Sequence, residues 1–441
     1  MRVVQAAGWY HPDSVGGTEV YVSTLARELR ARGHEVRIAA PQPGLQTPRI
    51  YEHDGCEVFR YPIPDVPTRD EAQGDVVVRG AEHLHRWLAS ICADVVHIHT
   101  FVTGLGLKEI HAARDAGSRV VVTTHASSLG YLCQRGSLMF HGRSLCDGIV
   151  DPSRCSECVL EGRGAPAPIR SVLAGLPEPI SRLTGAMQGP IGTAFGMRDL
   201  IRRNLSRQCE MLKAVEAFVV LTERAAEIVR ANGAPASKVF VNRLGIRDGI
   251  DAAGAAPASR DTGPIRIGYV GRFEHVKGVL DLAEAVRRLP SALPVHVEFR
   301  GPAQSAADRA TRALVAETSA SDPRVAIANG VAPESIVDVL RSYDVICCPS
   351  RCLEGGPTVA LEAMALGIPV IAASVGGVAE IVEDGVNARL VPPGDVERLS
   401  EALIEVATDP MSTIHRWRKR LPPSRRMHDV TREYLDLYSR N

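Results

Sequence analysis

Two cations, two carboxylates and several glycine pairs carry most of the chemistry this sequence could perform. Arg272 and Lys277 lie five residues apart in GRFEHVKG, directly after the apolar run Ile265 to Val270. Both stay charged at pH 7. A glycine-bounded loop holding them at a strand end would clamp a diphosphate and stabilise negative charge growing on a departing phosphate. Glu354 opens Glu354-Gly355-Gly356-Pro357, Glu362 follows eight residues later, and Gly376-Gly377 comes after the next apolar run. A helix starting behind Gly355-Gly356 offers free amides to a phosphate. In the first half, Gly16-Gly17 precede an amphipathic stretch and His125 ends the run VVVTTH. Cys133, Cys146, Cys155 and Cys158 are separated by twelve, eight and two residues.

These residues need elements to position them. Residues 345–349 and 369–374 read as short buried strands joined by a helix of about ten residues, a βαβ unit of a parallel sheet. Ligands of open α/β sheets bind outside the carboxyl ends of the strands, which puts both glycine pairs and both glutamates, Glu354 and Glu362, at ligand-binding positions. The first half repeats the pattern. Strands are expected at 2–7, 35–40, 94–99, 119–124 and 217–221, with helices at 18–31, 81–90, 104–116, 195–213 and 222–232. His99 ends one strand, His97 is expected to pack, and Arg198, Arg202 and Arg203 read as a solvated helix face, with an anionic acceptor or lipid diphosphate as the alternative partner. Periodicity breaks over 127–192, which is rich in Gly, Pro and Ala and reads as irregular, longer than an ordinary loop. No tandem repeat is expected beyond two Rossmann-like halves.

The segment 343–395 resembles the signature of the retaining glycosyltransferases of family 4, which have the two-domain GT-B architecture. The pattern reads here as Glu354, Glu362-Ala363-Met364-Ala365, Gly367, Pro369-Val370, Gly376-Gly377, Glu380 and Asp384-Gly385. The loop from Gly271 to Gly278 is similar to the family's G-R-x-x-x-x-K-G. The resemblance implies an α/β fold of two Rossmann-like domains facing across a cleft, with a last helix crossing back. The expected organisation is 1–250 for an acceptor-side domain with an insertion at about 127–192, 251–263 for a linker, 264–410 for a nucleotide-sugar domain, and 411–441 for helices packing on the first domain. It also implies roles. Arg272 and Lys277 hold the donor diphosphate, Glu362 the ribose, and Glu354 lies by the donor sugar. The amides at Gly355, Gly356 and the loop at Gly376 and Gly377 hold sugar and phosphate. His125, Gly16 and Gly17 come from the facing lobe. Two departures are noted: Gly356 stands where many members carry a bulky apolar residue, and Arg243-Leu244 interrupts the usual Asn-Gly turn.

The implied activity is transfer of a sugar from a nucleotide-diphosphate sugar to a hydroxyl of a glycan, glycolipid or small-molecule acceptor, with cell-surface synthesis as the commonest context. No catalytic divalent metal is expected, since no Asp-x-Asp suits one. A nucleotide-sugar epimerase, a glycan phosphorylase and an inactive nucleotide-binding scaffold share the fold and stay as alternatives. Four thiolates complete a tetrahedral zinc shell, so Cys133, Cys146, Cys155 and Cys158 are expected to hold a structural zinc, fixing a loop with too little apolar content for its own core. His141 as a replacement ligand, an iron–sulfur cluster, free thiols and two disulfides remain open at this point.

The composition sets outer bounds. At 441 residues, two α/β domains are the expectation. Lys+Arg and Asp+Glu balance at 51 each, which argues against nucleic acid as a partner. The opening MRVVQAAG reads as a strand rather than a leader, and no run of 18 apolar residues occurs. A cytoplasmic protein is expected, with peripheral contact at the inner face of the membrane left open and no oligomeric state assigned.

Overall fold

The computed structural model describes residues 1–14, 16–187, 189–250 and 263–440. The linker expected at 251–263 lies outside them except for Gly263. The chain divides into two compact units: Met1–Gly142, Cys146–Arg243 and Met427–Asn441 form the first, and Leu244–Arg426 with Arg143–Leu145 the second.

In the first unit the chain runs β1 (Arg2–Ala6), α1 (Gly17–Ala31), β2 (Glu35–Pro43), β3 (Arg49–His53), β4 (Cys56–Ile63), α2 (Arg69–Gln73), α3 (Glu82–Ile91), β5 (Val95–Ile98), α4 (Leu107–Asp115) and β6 (Arg119–Thr123). The insertion carries β7 (Met139–Phe140), β8 (Ser144–Leu145), α5 (Pro152–Gly162), α6 (Ala167–Ala174), α7 (Glu178–Gly185) and α8 (Gly189–Phe195). Then come α9 (Met197–Ala214), β9 (Ala217–Val220), α10 (Glu223–Ala231) and β10 (Val239–Val241). The sheet order is β10-β9-β6-β5-β1-β2-β4-β3, parallel except for β3 at the edge. Strands buried on both faces need continuous apolar runs, which VVHI, RVVVT and AFVV supply. After β4 the chain returns to the other side of β1, so the order reverses between β1 and β5. That reversal places the loops carrying Gly16, Gly17 and His99 at the crevice where such sheets take ligands.

The insertion is helical, not irregular. Asp151 caps α5 by accepting from Arg154 N–H at 2.7 Å, and Pro152 occupies the first turn. Pro168 and Pro179 likewise sit in the first turns of α6 and α7. Prolines that read as breakers are helix starters, because first-turn amides need no intrahelical partner. Val159, Leu160, Leu173, Met197, Leu200 and Ile201 give the insertion a small core, which composition alone did not promise.

The second unit runs β11 (Ile265–Val270), α11 (Val279–Arg287), β12 (Val295–Arg300), α12 (Ala306–Ser319), β13 (Val325–Ala328), α13 (Ile336–Arg341), β14 (Val345–Cys348), α14 (Thr358–Ala365), β15 (Val370–Ala373), β16 (Arg389–Val391), α15 (Val396–Thr408) and α16 (Pro410–Arg418). Its all-parallel order, β13-β12-β11-β14-β15-β16, reverses between β11 and β14. Leu282, Val286, Leu403 and Trp417 cover one sheet face, and Leu340, Ala363 and Met364 the other. Trp417 puts α16 in this core, so of the two C-terminal helical segments only α17 (Met427–Tyr438) packs in the first unit. The helix α12 was not expected. Its signal is the capping box Ser305–Asp308, with hydrogen bonds in both directions.

Candidate active site

In the second unit, the loops after β11 and β14 flank the point where strand order reverses. Lys277 Nζ lies 2.8 Å from Glu354 Oε1, and Ser350 Oγ donates to the same oxygen at 2.6 Å. Two further contacts stitch the loops: Arg351 N–H donates to Val276 C=O at 2.8 Å, and the Arg351 guanidinium grips Asp281, with Nε 2.6 Å from Oδ2. Burial acts to lower the Lys277 pKa, but the charge and hydrogen bond of Glu354 outweigh it and leave the ammonium favoured. The site therefore offers a compact positive group already neutralised by one carboxylate.

The glycine pair belongs to the same site. Gly377 N–H donates to Glu354 C=O at 2.9 Å. A Cβ on Gly377 would meet Gly355 O at 2.2 Å, and Gly376 combines a φ of +85° with a Cβ position 2.6 Å from Glu354 O. Neither place admits a side chain, so the pair lets the two loops touch.

Glu362 sits a short way along α14, half-buried. Burial raises its pKa, and Arg247, 3.5 Å away, pulls it back. The sequence reading did not assign a role to Arg247 or to Ser350. Arg247 follows the stretch where the family pattern is broken, so no motif pointed to it. Arg272 lies near enough to Lys277 for its charge to act against that ammonium. It is largely exposed and bridges Glu274 at 2.7 Å, while Tyr269 OH donates to its carbonyl at 2.6 Å.

In the first unit the carboxyl end of β5 and the loop after β6 bring histidines together. Gln5 Nε2 donates to Tyr438 OH at 3.3 Å, which leaves Gln5 Oε1 to accept from His99 Nε2 at 2.5 Å. With its proton on Nε2, neutral His99 accepts at Nδ1 from His125 Nε2, 3.2 Å away. The relay leaves His125 Nδ1 as an acceptor. Burial lowers the His125 pKa to about 4 and holds those of His97 and His99 well below the usual imidazole range, so all three are neutral near pH 7. His97 is purely internal, hydrogen bonded at 2.7 Å to both Tyr438 OH and Thr123 Oγ1. The Tyr21 ring of α1 meets the His125 ring edge-on at 4.8 Å. Gly16 caps α1 in extended geometry and Gly17 is its first residue, with Glu19 held by Ser14 Oγ–H in the same turn.

A cavity of about 310 Å³ opens in this unit between the loops after β5 and β6. Phe101 and Tyr131 line it as a stacked pair with centroids 5.1 Å apart, beside Thr103, Ser128 and Gln134. The α4 N-terminus at its edge is already satisfied: Gly106 N–H donates to Glu109 at 2.7 Å and Leu107 N–H to Tyr131 OH at 2.9 Å.

The four insertion cysteines do not form the expected zinc shell. Among the described residues no group of three or more His, Cys, Asp or Glu side chains is arranged to hold a metal. Cys158 Sγ instead accepts from His141 N–H at 3.3 Å and donates to Met139 C=O at 3.6 Å, while Cys146 Sγ accepts from Gly148 N–H at 3.4 Å. Burial pushes the Cys155 thiol up to about 11 and that of Cys146 upward as well, with the neighbouring cysteine sulfurs adding to both shifts. None of the four is bridged.

Two Rossmann-like units, each with polar residues at its strand-order reversal, define an α/β protein of the GT-B class. Residues 255–421 match the family described as "Glycosyl transferases group 1", and residues 16–155 match the "Glycosyl transferase 4-like domain". The chain belongs to the family 4 type of glycosyltransferases with the GT-B fold. The D-inositol 3-phosphate glycosyltransferase of Kribbella flavida is 31% identical over 46% of this chain, a match that spans half of that relative's length. The MMP alpha-(1->4)-mannosyltransferase of Mycolicibacterium hassiacum is 27% identical over 90% of this chain and 87% of its own. Among solved structures, sucrose-phosphate synthase from Thermosynechococcus elongatus has a TM-score of 0.68 at 19% identity, covering 99% of this chain and 98% of that one. HepE of Anabaena in complex with UDP-glucose has a TM-score of 0.64 at 14% identity, covering both chains fully (100%). Among the described residues, no helix is long and apolar enough to cross a membrane.

Proposed function

We propose that this chain is a retaining glycosyltransferase that moves a sugar from a nucleotide-diphosphate sugar to an acceptor hydroxyl, in cell-surface glycan or glycolipid synthesis and in the cytoplasm. The observation that carries the reading is the Lys277–Glu354–Ser350 cluster at the strand-order reversal of the second unit. A donor diphosphate would draw Lys277 away from Glu354, and the ammonium would then neutralise charge developing on the leaving group. Glu354, released from Lys277 and still tied to Ser350, becomes an acceptor for donor-sugar hydroxyls. Glu362, steadied by Arg247, is the ribose ligand, and Arg272 is free to swing from Glu274 onto the diphosphate. In the other unit, neutral His125 supplies an acceptor nitrogen for a sugar hydroxyl. Retention of anomeric configuration rests on the family resemblance. It is consistent with the leaving phosphate itself taking the acceptor proton.

The cavity beside Phe101 and Tyr131 supports a second reading of the acceptor. At about 310 Å³ it has room for a single ring against the Phe101–Tyr131 pair, with Lys108 as the cation on its lining. A thermal-shift panel of UDP-, GDP-, ADP- and TDP-sugars, followed by NMR of the product's anomeric proton, tests the proposal. A donor that stabilises the protein and a product of retained configuration are expected. No response to any nucleotide sugar, or an inverted product, would overturn it.

A further inference from the structure

The insertion contains an 11-residue repeat that the sequence reading missed: Ala167-Pro168-Ile169, Glu178-Pro179-Ile180 and Gly189-Pro190-Ile191. Each copy starts one short helix, α6, α7 and α8, with proline as its second residue. Each helix packs on α9. Leu173, Ser181 and Gly192 are buried on the inward side. The isoleucines are not: Ile169, Ile180 and Ile191 are 54%, 47% and 67% exposed. Three residues beyond the first two, on the same helix faces, Val172 and Leu183 are 68% and 76% exposed, and Met187 is 54% exposed. A soluble surface scatters such side chains singly, whereas here one repeated position is apolar and outward three times.

Charge gives this face a direction. Between residues 163 and 203 there are six arginines and two acidic residues, Glu178 and Asp199. With Glu157, which pairs with Arg170, and Asp75, which pairs with Arg203, six arginines face four carboxylates, a local positive excess in a chain whose total charge balances. Arg163 and Arg182 are exposed beside the apolar helices. Helices of seven or eight residues are too short to span a bilayer but suit lying in its interface, with apolar side chains inserted and arginines at the headgroups. We propose that α6, α7 and α8 form a docking surface for an anionic lipid bilayer, with Ile169, Ile180 and Ile191 as its inserted anchors. This goes beyond the transferase reading and does not depend on it, because binding is read without turnover.

The test is co-sedimentation of the full chain with vesicles of phosphatidylcholine alone or mixed with phosphatidylglycerol. The wild type should pellet with the mixed vesicles, and less so as salt rises. The triple variant Ile169→Ser, Ile180→Ser, Ile191→Ser should lose at least about tenfold in partitioning, with an unchanged melting profile and unchanged UDP binding. Should that variant fold poorly, Arg163→Glu alone should cut binding to mixed vesicles several-fold. Three results would overturn the proposal: no pelleting of the wild type with mixed vesicles, equal pelleting of well-folded variants, or a dimer in sedimentation velocity that the triple variant abolishes. The last would reassign the face to a second copy of the chain.

Discussion

Lys277 and Glu354, 77 residues apart in sequence, meet as an ion pair of 2.8 Å across the point where the second sheet reverses its strand order. Each is the other's partner until a ligand arrives, so their variants should not behave alike. Lys277→Ala should weaken nucleotide diphosphate binding or transition-state stabilisation by about 2–5 kcal/mol, the cost of truncating a hydrogen-bonded charge. Glu354→Gln, which frees the ammonium, should hold or tighten UDP while turnover falls. Calorimetry with UDP and initial rates separate the two. Matching losses of UDP affinity in both variants would reject the exchange.

Glu362 is expected to bind ribose, so Glu362→Ala should weaken free nucleotide diphosphate as well as intact donor. Its pKa is raised by burial, and a raised carboxyl pKa means the acceptor form is lost earlier as pH falls. UDP affinity should therefore decline on acidification sooner than for an ordinary carboxylate. Arg247→Ala, which removes the opposing cation, should move that decline to higher pH. Calorimetric titrations across pH check the shift, and identical profiles for wild type and Arg247→Ala would remove Glu362 from the ribose site.

The hydrogen-bond chain Gln5–His99–His125 fixes which nitrogen of His125 can accept. Gln5→Leu removes the acceptor that holds the His99 proton on Nε2, so turnover should drop while UDP binding is kept. Gln5→Glu restores an acceptor and should recover much of the rate. Because Gln5 reaches the reaction only through the two histidines, the contrast between these variants is the readout. Equal losses in both would point to packing alone.

Acid should destabilise the first unit through the same histidines. Their folded pKa values lie below the unfolded value near 6.5, so on acidification the unfolded chain takes up protons that the folded one refuses. For His125, with a folded pKa of about 4, the loss between pH 7 and pH 5 is on the order of 2 kcal/mol. His97 and His99 act in the same direction. Their contribution is complete above about pH 6.5 and fades as pH falls toward the folded pKa values. Urea unfolding at pH 7 and pH 5 measures it, and coincident midpoints would contradict it.

Much of this was legible in the sequence because parallel sheets write themselves plainly. Short apolar runs such as VICC and VIAA, with glycines after them, located both strands of the βαβ unit and placed Glu354 at a carboxyl end. What stayed hidden has physical causes. Arg247 finds Glu362 only through tertiary contact across more than a hundred residues. The pairing of Lys277 with Glu354 required knowing that β11 and β14 are neighbours, which strand order decides and local pattern does not. The insertion reads as irregular because its Gly, Pro and Ala content hides helical periodicity, while its prolines stand in first turns. The cysteine spacing suggested a metal shell, yet Cys158 lies on α5 with its sulfur turned to backbone groups of the preceding segment.

The helix α17 follows the whole second unit in the chain, yet its Tyr434 and Tyr438 side chains hydrogen bond to Tyr21, Thr123 and His97 in the first unit's interior. On a ribosome, residues up to Arg243 emerge about 180 residues before Met427 does. At cellular elongation speeds that is a wait of roughly 10–40 s. Throughout it the first sheet has an unfilled slot lined by Gln5, His97 and Thr123, open to water or to a chaperone. Completion of the first unit therefore waits until the second unit has been translated.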